Sequence, residues 1–230
     1  MIERTADAVF VALLVVGVPL VSWTSMRDPL IRTLPRVRLY ISAVMSEWIF
    51  AALAIVAVRV AGLGTAGIGL RGISPGWFAF WTAALAAISA AGLGLLLILE
   101  RRGWWPDEPE LVYLLIPRTT REKVWALVLV APTAALVEEF VYRGYLLAII
   151  ARALNSTGWA WVLSSAAFGL AHLYQRPNGM IRAAVLGALL AWPVVRTGSL
   201  YPAIAAHFLI DAAALGWLGP KMLTAETSAP

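Results

Sequence analysis

The chain has no cysteine among its 230 residues, which excludes disulfides, thiolate metal sites and a cysteine nucleophile. Histidine is nearly absent too, with His172 and His207 the only two. Charge is scarce: Asp, Glu, Lys and Arg make up 13% of the residues, against about a quarter in a soluble domain. The net charge of +5 does not point to nucleic acid, because the basic residues sit in short loops between apolar runs. Lysine is confined to Lys123 and Lys221, so almost every basic group is an arginine. With the abundant alanine, this bias is the kind a GC-rich bacterial genome produces. No internal repeat and no low-complexity tract is visible.

What is present is apolar. Hydrophobic residues make up 61% of the chain, and the mean hydropathy is +0.80. A soluble core of this length cannot hide such an excess, since a domain of this size still exposes much of its surface. The chain therefore reads as an integral membrane protein. Seven apolar segments are visible, at residues 8–23, 39–63, 76–99, 124–154, 158–174, 180–195 and 200–218. A spanning helix needs roughly 20 apolar residues. The fifth and sixth segments are short and carry Gly or Pro, so they count as spans only with support from their neighbours. The first is read as a retained helix and not a signal peptide, because no small-residue cleavage site follows it. The fold class is all-α, a polytopic transmembrane helical bundle of about seven to eight membrane helices.

Orientation follows from the arginines. Arg27, Arg32, Arg36 and Arg38 follow the first segment; Arg101, Arg102, Arg118, Arg121 and Lys123 follow the third; Arg176 and Arg182 follow the fifth; Lys221 lies in the tail. With seven spans these share the cytoplasmic side, which puts the N-terminus outside and the C-terminus inside. The run 111–116 is apolar but too short to cross, and is expected in the interface near Trp104 and Trp105.

Ionisable groups inside apolar helices are costly and usually functional. Here they cluster in the C-terminal half, with the N-terminal half reading as plain. The fourth segment carries Glu138-Glu139-x-x-x-Arg143, the fifth Phe168-x-x-x-His172, and the seventh His207-x-x-x-Asp211. On a helix Glu139 and Arg143 share a face and can pair, while Glu138 points about 100° away. An unpaired carboxylate in a cavity can serve as a general base, and His172 can share a water with it. His207 and Asp211 also share a face, so Asp211 can fix the His207 tautomer or donate a hydrogen bond if protonated. Each residue has a plain structural reading: packing for the histidines, bracing for Glu139 and Arg143, a hydrogen bond for Glu138. Together those readings demand five costly groups in three helices without chemistry.

The order, spacing and placement of these motifs resemble the CAAX protease and bacteriocin-processing enzyme family of intramembrane proteases. The resemblance covers about residues 124–218 and includes Thr197-Gly198-Ser199-Leu200-Tyr201-Pro202-Ala203. It implies a helical membrane fold with a conical cavity and a four-helix catalytic core in the C-terminal half. On this reading residues 1–230 form one membrane domain. It has N-terminal helices at 1–99, a polar loop at 100–123, the catalytic core at 124–218 and a tail at 219–230. By motif, Glu138 and His172 activate the attacking water, His207 and Asp211 stabilise the oxyanion, and Glu139 and Arg143 brace the site. One position departs from the pattern: prenyl-protein proteases of the family usually have Asn where Asp211 stands, and an ionised Asp repels an oxyanion. No cofactor is expected. Zinc on Glu138, His172 and His207 is the alternative, but the His-Glu-x-x-His spacing of such sites is absent.

The implied activity is endopeptidase cleavage of a membrane-anchored or amphipathic protein or peptide. Membrane lipids are the other partner, and the compartment is a bacterial inner (plasma) membrane. Two other functions use the same residues. A proton-coupled transporter also needs intramembrane Glu, His and Asp, but no inverted repeat is visible and the charges converge instead of lining a path. A non-catalytic immunity or scaffold protein would keep the motifs as architecture.

Overall fold

The computed structural model describes residues 2–106 and 110–219. Lys221 and the small polar tail at 224–230 lie outside the described residues. Those described are helical, with one isolated β-bridge. Six helices are long and apolar enough to cross a membrane, and the protein is an integral multi-pass membrane protein. They are α1 (Asp7–Ser25), α2 (Arg36–Val60), α3 (Pro75–Arg101), α4 (Thr120–Leu154), α6 (Leu173–Thr197) and α7 (Tyr201–Leu218). Between α4 and α6 lies α5 (Thr157–Ala171), the helix of the segment 158–174.

The count of spans differs from the sequence reading in a definite way. The segment at 180–195 belongs to a helix that begins earlier, so α6 reaches 25 residues and is fully long enough. Helix α5 has 15 residues, below the roughly 20 that span the hydrocarbon core. The described residues offer six candidates and no seventh. The connection at 100–123 is not simply a loop: it contains a short helix Glu110–Leu115, and α4 already starts at Thr120.

Local chemistry explains the boundaries. Thr119 and Glu122 form a reciprocal capping box at the start of α4, satisfying backbone donors that the first turn leaves free. Ser74 and Ser156 cap α3 and α5 by accepting from Trp77 N and Trp159 N. Helix α4 ends at Asn155 and α6 at Gly198, both left-handed, with φ of 47° and 70°.

Helix α4 sits centrally, with α2, α5 and α7 packed on it. Helices α5 and α6 make the most extensive pairing in the bundle, and α3 lies outside against α7 and α6. Over the second half of α2 the buried face is all small: Ala51, Ala54, Ala57 and Val58, with Ala61 just beyond the helix. Small residues let membrane helices approach closely, where no hydrophobic drive separates helix from lipid. The main core joins Phe10 and Leu14 to Val137, Val141, Tyr145 and Phe168. A second core joins Leu85 to Leu190, Val194 and Leu200. The outer surface is apolar, with Val16, Ile49, Val56, Phe80, Ile88, Leu95, Val128 and Val185 exposed, as a lipid-facing surface requires.

The N-terminal half is tied to the C-terminal half in two places. Asp7 accepts hydrogen bonds from Tyr145 Oη at 2.9 Å and Arg152 Nη2 at 3.3 Å, and Arg152 Nη1 donates to Ala61 O at 2.7 Å. At another point Leu70 forms the antiparallel bridge with Ser199, and Leu200 N donates to Gly69 O at 2.8 Å. Gly69 has φ of 78°, and a Cβ there would lie 2.8 Å from Leu200 Cγ, so only glycine fits.

Candidate active site

All six residues singled out in the sequence are described, and three of them, Glu138, Glu139 and Asp211, gather around the His207 imidazole, with Arg143 behind Glu139. His207, on α7, places Nδ1 2.9 Å from Glu139 Oε1. Arg143 Nη1 lies 3.0 Å from the same oxygen. The Nε2 of His207 faces the other way, 3.7 Å from Glu138 Oε2 and 3.6 Å from Asp211 Oδ2. These two separations are too long for direct hydrogen bonds and suit a bridging water or substrate atom.

Burial divides this cluster. The Glu139 and Arg143 side chains are 0% and 1% exposed, whereas those of Glu138 and Asp211 are 23% and 28% exposed. Glu139 and Arg143 therefore form a closed frame behind His207, and Glu138 and Asp211 form an open side in front of it. The tautomer of His207 is set by Glu139, not by Asp211 as the four-residue spacing allowed: the Nδ1 proton is donated to a carboxylate, which leaves Nε2 for chemistry.

Helix geometry contributes to this split. Residues Glu139–Leu146 form a π-helical stretch within α4, beginning right after Glu138. Its i→i+5 hydrogen bonding turns the residues away from ideal α-helical positions, and such π segments recur at functional sites.

His172 follows the last residue of α5, where the backbone leaves the helix. Its Nδ1 donates to Phe168 O at 2.9 Å, which leaves Nε2 as an acceptor. Phe168 is the spacer of the site. Its ring centroid is 4.8 Å from that of His172 and 6.3 Å from that of His207, and Arg143 Cζ lies 4.0 Å over its face. The guanidinium is thus held by one carboxylate oxygen and one aromatic face. Close approach of α5 and α6 depends on Gly169, where a Cβ would come within 2.7 Å of both Met180 O and Ala184 Cβ. Gly187 on α6 leaves room for Arg143 and Phe168 in the same way, with a Cβ there 3.1 Å from each.

One further carboxyl group lies within electrostatic reach of the site, and the N-terminal half is less plain than its sequence suggests. Glu47, in the middle of α2, lies within electrostatic reach of Glu138, Asp211 and His207. Tyr142 and Tyr174 lie within reach of both Glu47 and Glu138. Its Oε2 is buried and makes no hydrogen bond among the described residues. A signal for it exists in the sequence: Glu47 is an acid inside an apolar helix whose neighbours three and four positions away are Ala43, Val44, Phe50 and Ala51. None of these can pair with it.

Among the described residues no group of three or more His, Asp or Glu side chains is placed to hold a metal, and Glu138, His172 and His207 do not form one. His207 already commits Nδ1 to Glu139. What the cluster offers is a partly open carboxylate pair facing an imidazole nitrogen. A cavity of about 410 Å³ lined by Pro35, Val37, Arg38, Thr119, Arg121 and Glu122 contains none of these residues.

Residues 120–213 match the family model described as Type II CAAX prenyl endopeptidase Rce1-like. That stretch runs from the capping box of α4 to two residues beyond Asp211, and so contains every motif residue named above. No curated protein and no solved structure matches the chain.

Proposed function

We propose, from the match of residues 120–213 to the Rce1-like type II CAAX prenyl endopeptidase model, that the protein is an intramembrane endopeptidase acting on a membrane-anchored or amphipathic peptide. The observation that carries the reading is the convergence of Glu138 Oε2 and Asp211 Oδ2 on His207 Nε2, at 3.7 and 3.6 Å, in front of a buried Glu139–Arg143 frame.

On this reading Glu138, aided by the acceptor Nε2 of His172, takes a proton from a water as its oxygen bonds to the scissile carbonyl carbon. The carbonyl oxygen becomes an oxyanion. An N–H at His207 Nε2 stabilises it, which takes the doubly protonated ring, and three carboxylates surround that ring. Collapse of the intermediate breaks the C–N bond, and the proton held by Glu138 passes to the leaving amine. Glu139 and Arg143 keep His207 in place. Asp211, when ionised, supports the positive charge of the ring or, when protonated, donates to the oxyanion itself. No metal enters these steps. The domain spans a membrane, read here as the bacterial inner membrane.

The test compares wild type with Glu138→Gln and His172→Ala in liposomes. Membrane-anchored peptides, prenylated and unprenylated, are followed by mass spectrometry. Cleavage by wild type that falls by about a hundredfold or more in both variants, with unchanged melting, is the expected result. Glu138→Gln cleaving as fast as wild type overturns the assignment. The prenylated and unprenylated arms identify the substrate class.

A further inference from the structure

Glu47 stands outside the matched stretch, on α2, yet lies within electrostatic reach of Glu138, Asp211 and His207. A carboxylate inside a membrane helix is costly and is retained for a partner or a purpose. Glu139 shows what the structural case looks like here, with Arg143 and His207 both on one of its oxygens. Glu47 has no such support: among the described residues it makes no ion pair, and its Oε2 is buried without a hydrogen bond. Two other carboxyl groups, Glu138 and Asp211, lie within its electrostatic reach, an arrangement that a hydrogen-bond donor from outside the chain would relieve.

Such a donor comes with the substrate. A peptide must unwind around its scissile bond to be attacked, and in a low-dielectric site each freed backbone N–H needs an acceptor. We propose that Glu47 is a substrate-contacting residue, its carboxylate accepting a hydrogen bond from a backbone N–H of the bound peptide beside the scissile bond. The assignment rests on the protease reading and adds to it a helix outside the matched family stretch. It makes α2 part of the substrate site.

The experiment measures kcat/KM and melting for Glu47→Gln and Glu47→Leu alongside wild type, in detergent and with the peptides described above. Leucine removes an unpaired buried carboxylate, so Glu47→Leu melts above wild type. It also loses the acceptor, so kcat/KM falls by about a hundredfold. Glu47→Gln keeps an acceptor oxygen at the same place and loses less than about tenfold. A melting temperature of Glu47→Leu at or below wild type makes Glu47 a structural residue and overturns the proposal. Equal losses in Gln and Leu overturn it as well, pointing to a cationic group of the substrate in place of an N–H. Undiminished cleavage by Glu47→Leu does the same. If wild type cleaves no peptide, the protease reading falls on its own account, while the melting comparison still decides whether Glu47 is held at the expense of stability.

Discussion

His207 Nδ1 and Glu139 Oε1 meet at 2.9 Å across 68 positions of sequence, and the same oxygen takes Arg143 Nη1 at 3.0 Å. One carboxylate oxygen thereby joins α4 to α7 and orients the imidazole. Removing it strands a buried guanidinium. Glu139→Ala is therefore expected to destabilise the protein by about 3–5 kcal/mol, read as melting in detergent. The double variant Glu139→Leu with Arg143→Met replaces the pair by apolar groups of similar size and recovers most of that stability. It stays poorly active, because His207 has lost its anchor.

Asp211 stands where prenyl-protein proteases of the family usually carry Asn, and the two side chains differ in whether an N–H is always present. Asp211→Asn supplies a permanent donor on the open side of His207, and is expected to cleave at least as fast as wild type. Asp211→Ala removes the group altogether and is expected to lower kcat by about a hundredfold or more, the effect of deleting an oxyanion-hole donor. An Asn variant as slow as the Ala variant would mean that the carboxylate works through its charge beside His207.

Phe168 separates the two imidazoles and covers Arg143. Phe168→Leu keeps the position apolar and is expected to cost about 1–2 kcal/mol of stability, including the lost cation–π contact. Cleavage falls by about tenfold or more, since His172 and His207 lose their spacing. Melting and kcat/KM measured on the same preparation separate these effects.

The donor set does not gather around a metal-sized point, so cleavage is expected to survive rigorous chelation, with elemental analysis finding less than stoichiometric zinc. Zinc bound one to one and lost together with activity would sink the metal-free mechanism.

Much of the site could be read from the chain because its spacing rules are local. Glu139 and Arg143 pair on one helix at the separation that their numbering gives, and His207 and Asp211 likewise share a face. What crosses between helices was not readable. Nothing in the sequence says that Glu139 and not Asp211 holds His207, because that depends on how α4 and α7 are rotated. The π-helical stretch that begins at Glu139 adds to this, since i→i+5 bonding has no residue signature. Glu47 escaped notice because its helix is so apolar on average, although its lack of a basic neighbour set it apart. Membrane character was plain from composition, and the number of spans was not. Met180 is flanked by residues that read as loop, yet α6 begins at Leu173.

The bridge between Leu70 and Ser199, with Leu200 N on Gly69 O, fastens a loop of the N-terminal half to the turn that launches α7. This fastening does not run through the polypeptide at 100–123. A gene split there, encoding residues up to the end of α3 and residues from the short helix Glu110–Leu115 onward as two separate polypeptides, should still yield an assembled protein when both are co-expressed. The second polypeptide made alone would contain every motif residue and the whole matched stretch. It would lack Glu47, the Ala-lined face of α2 and the partner of Ser199, so it would be an incomplete enzyme that complementation restores.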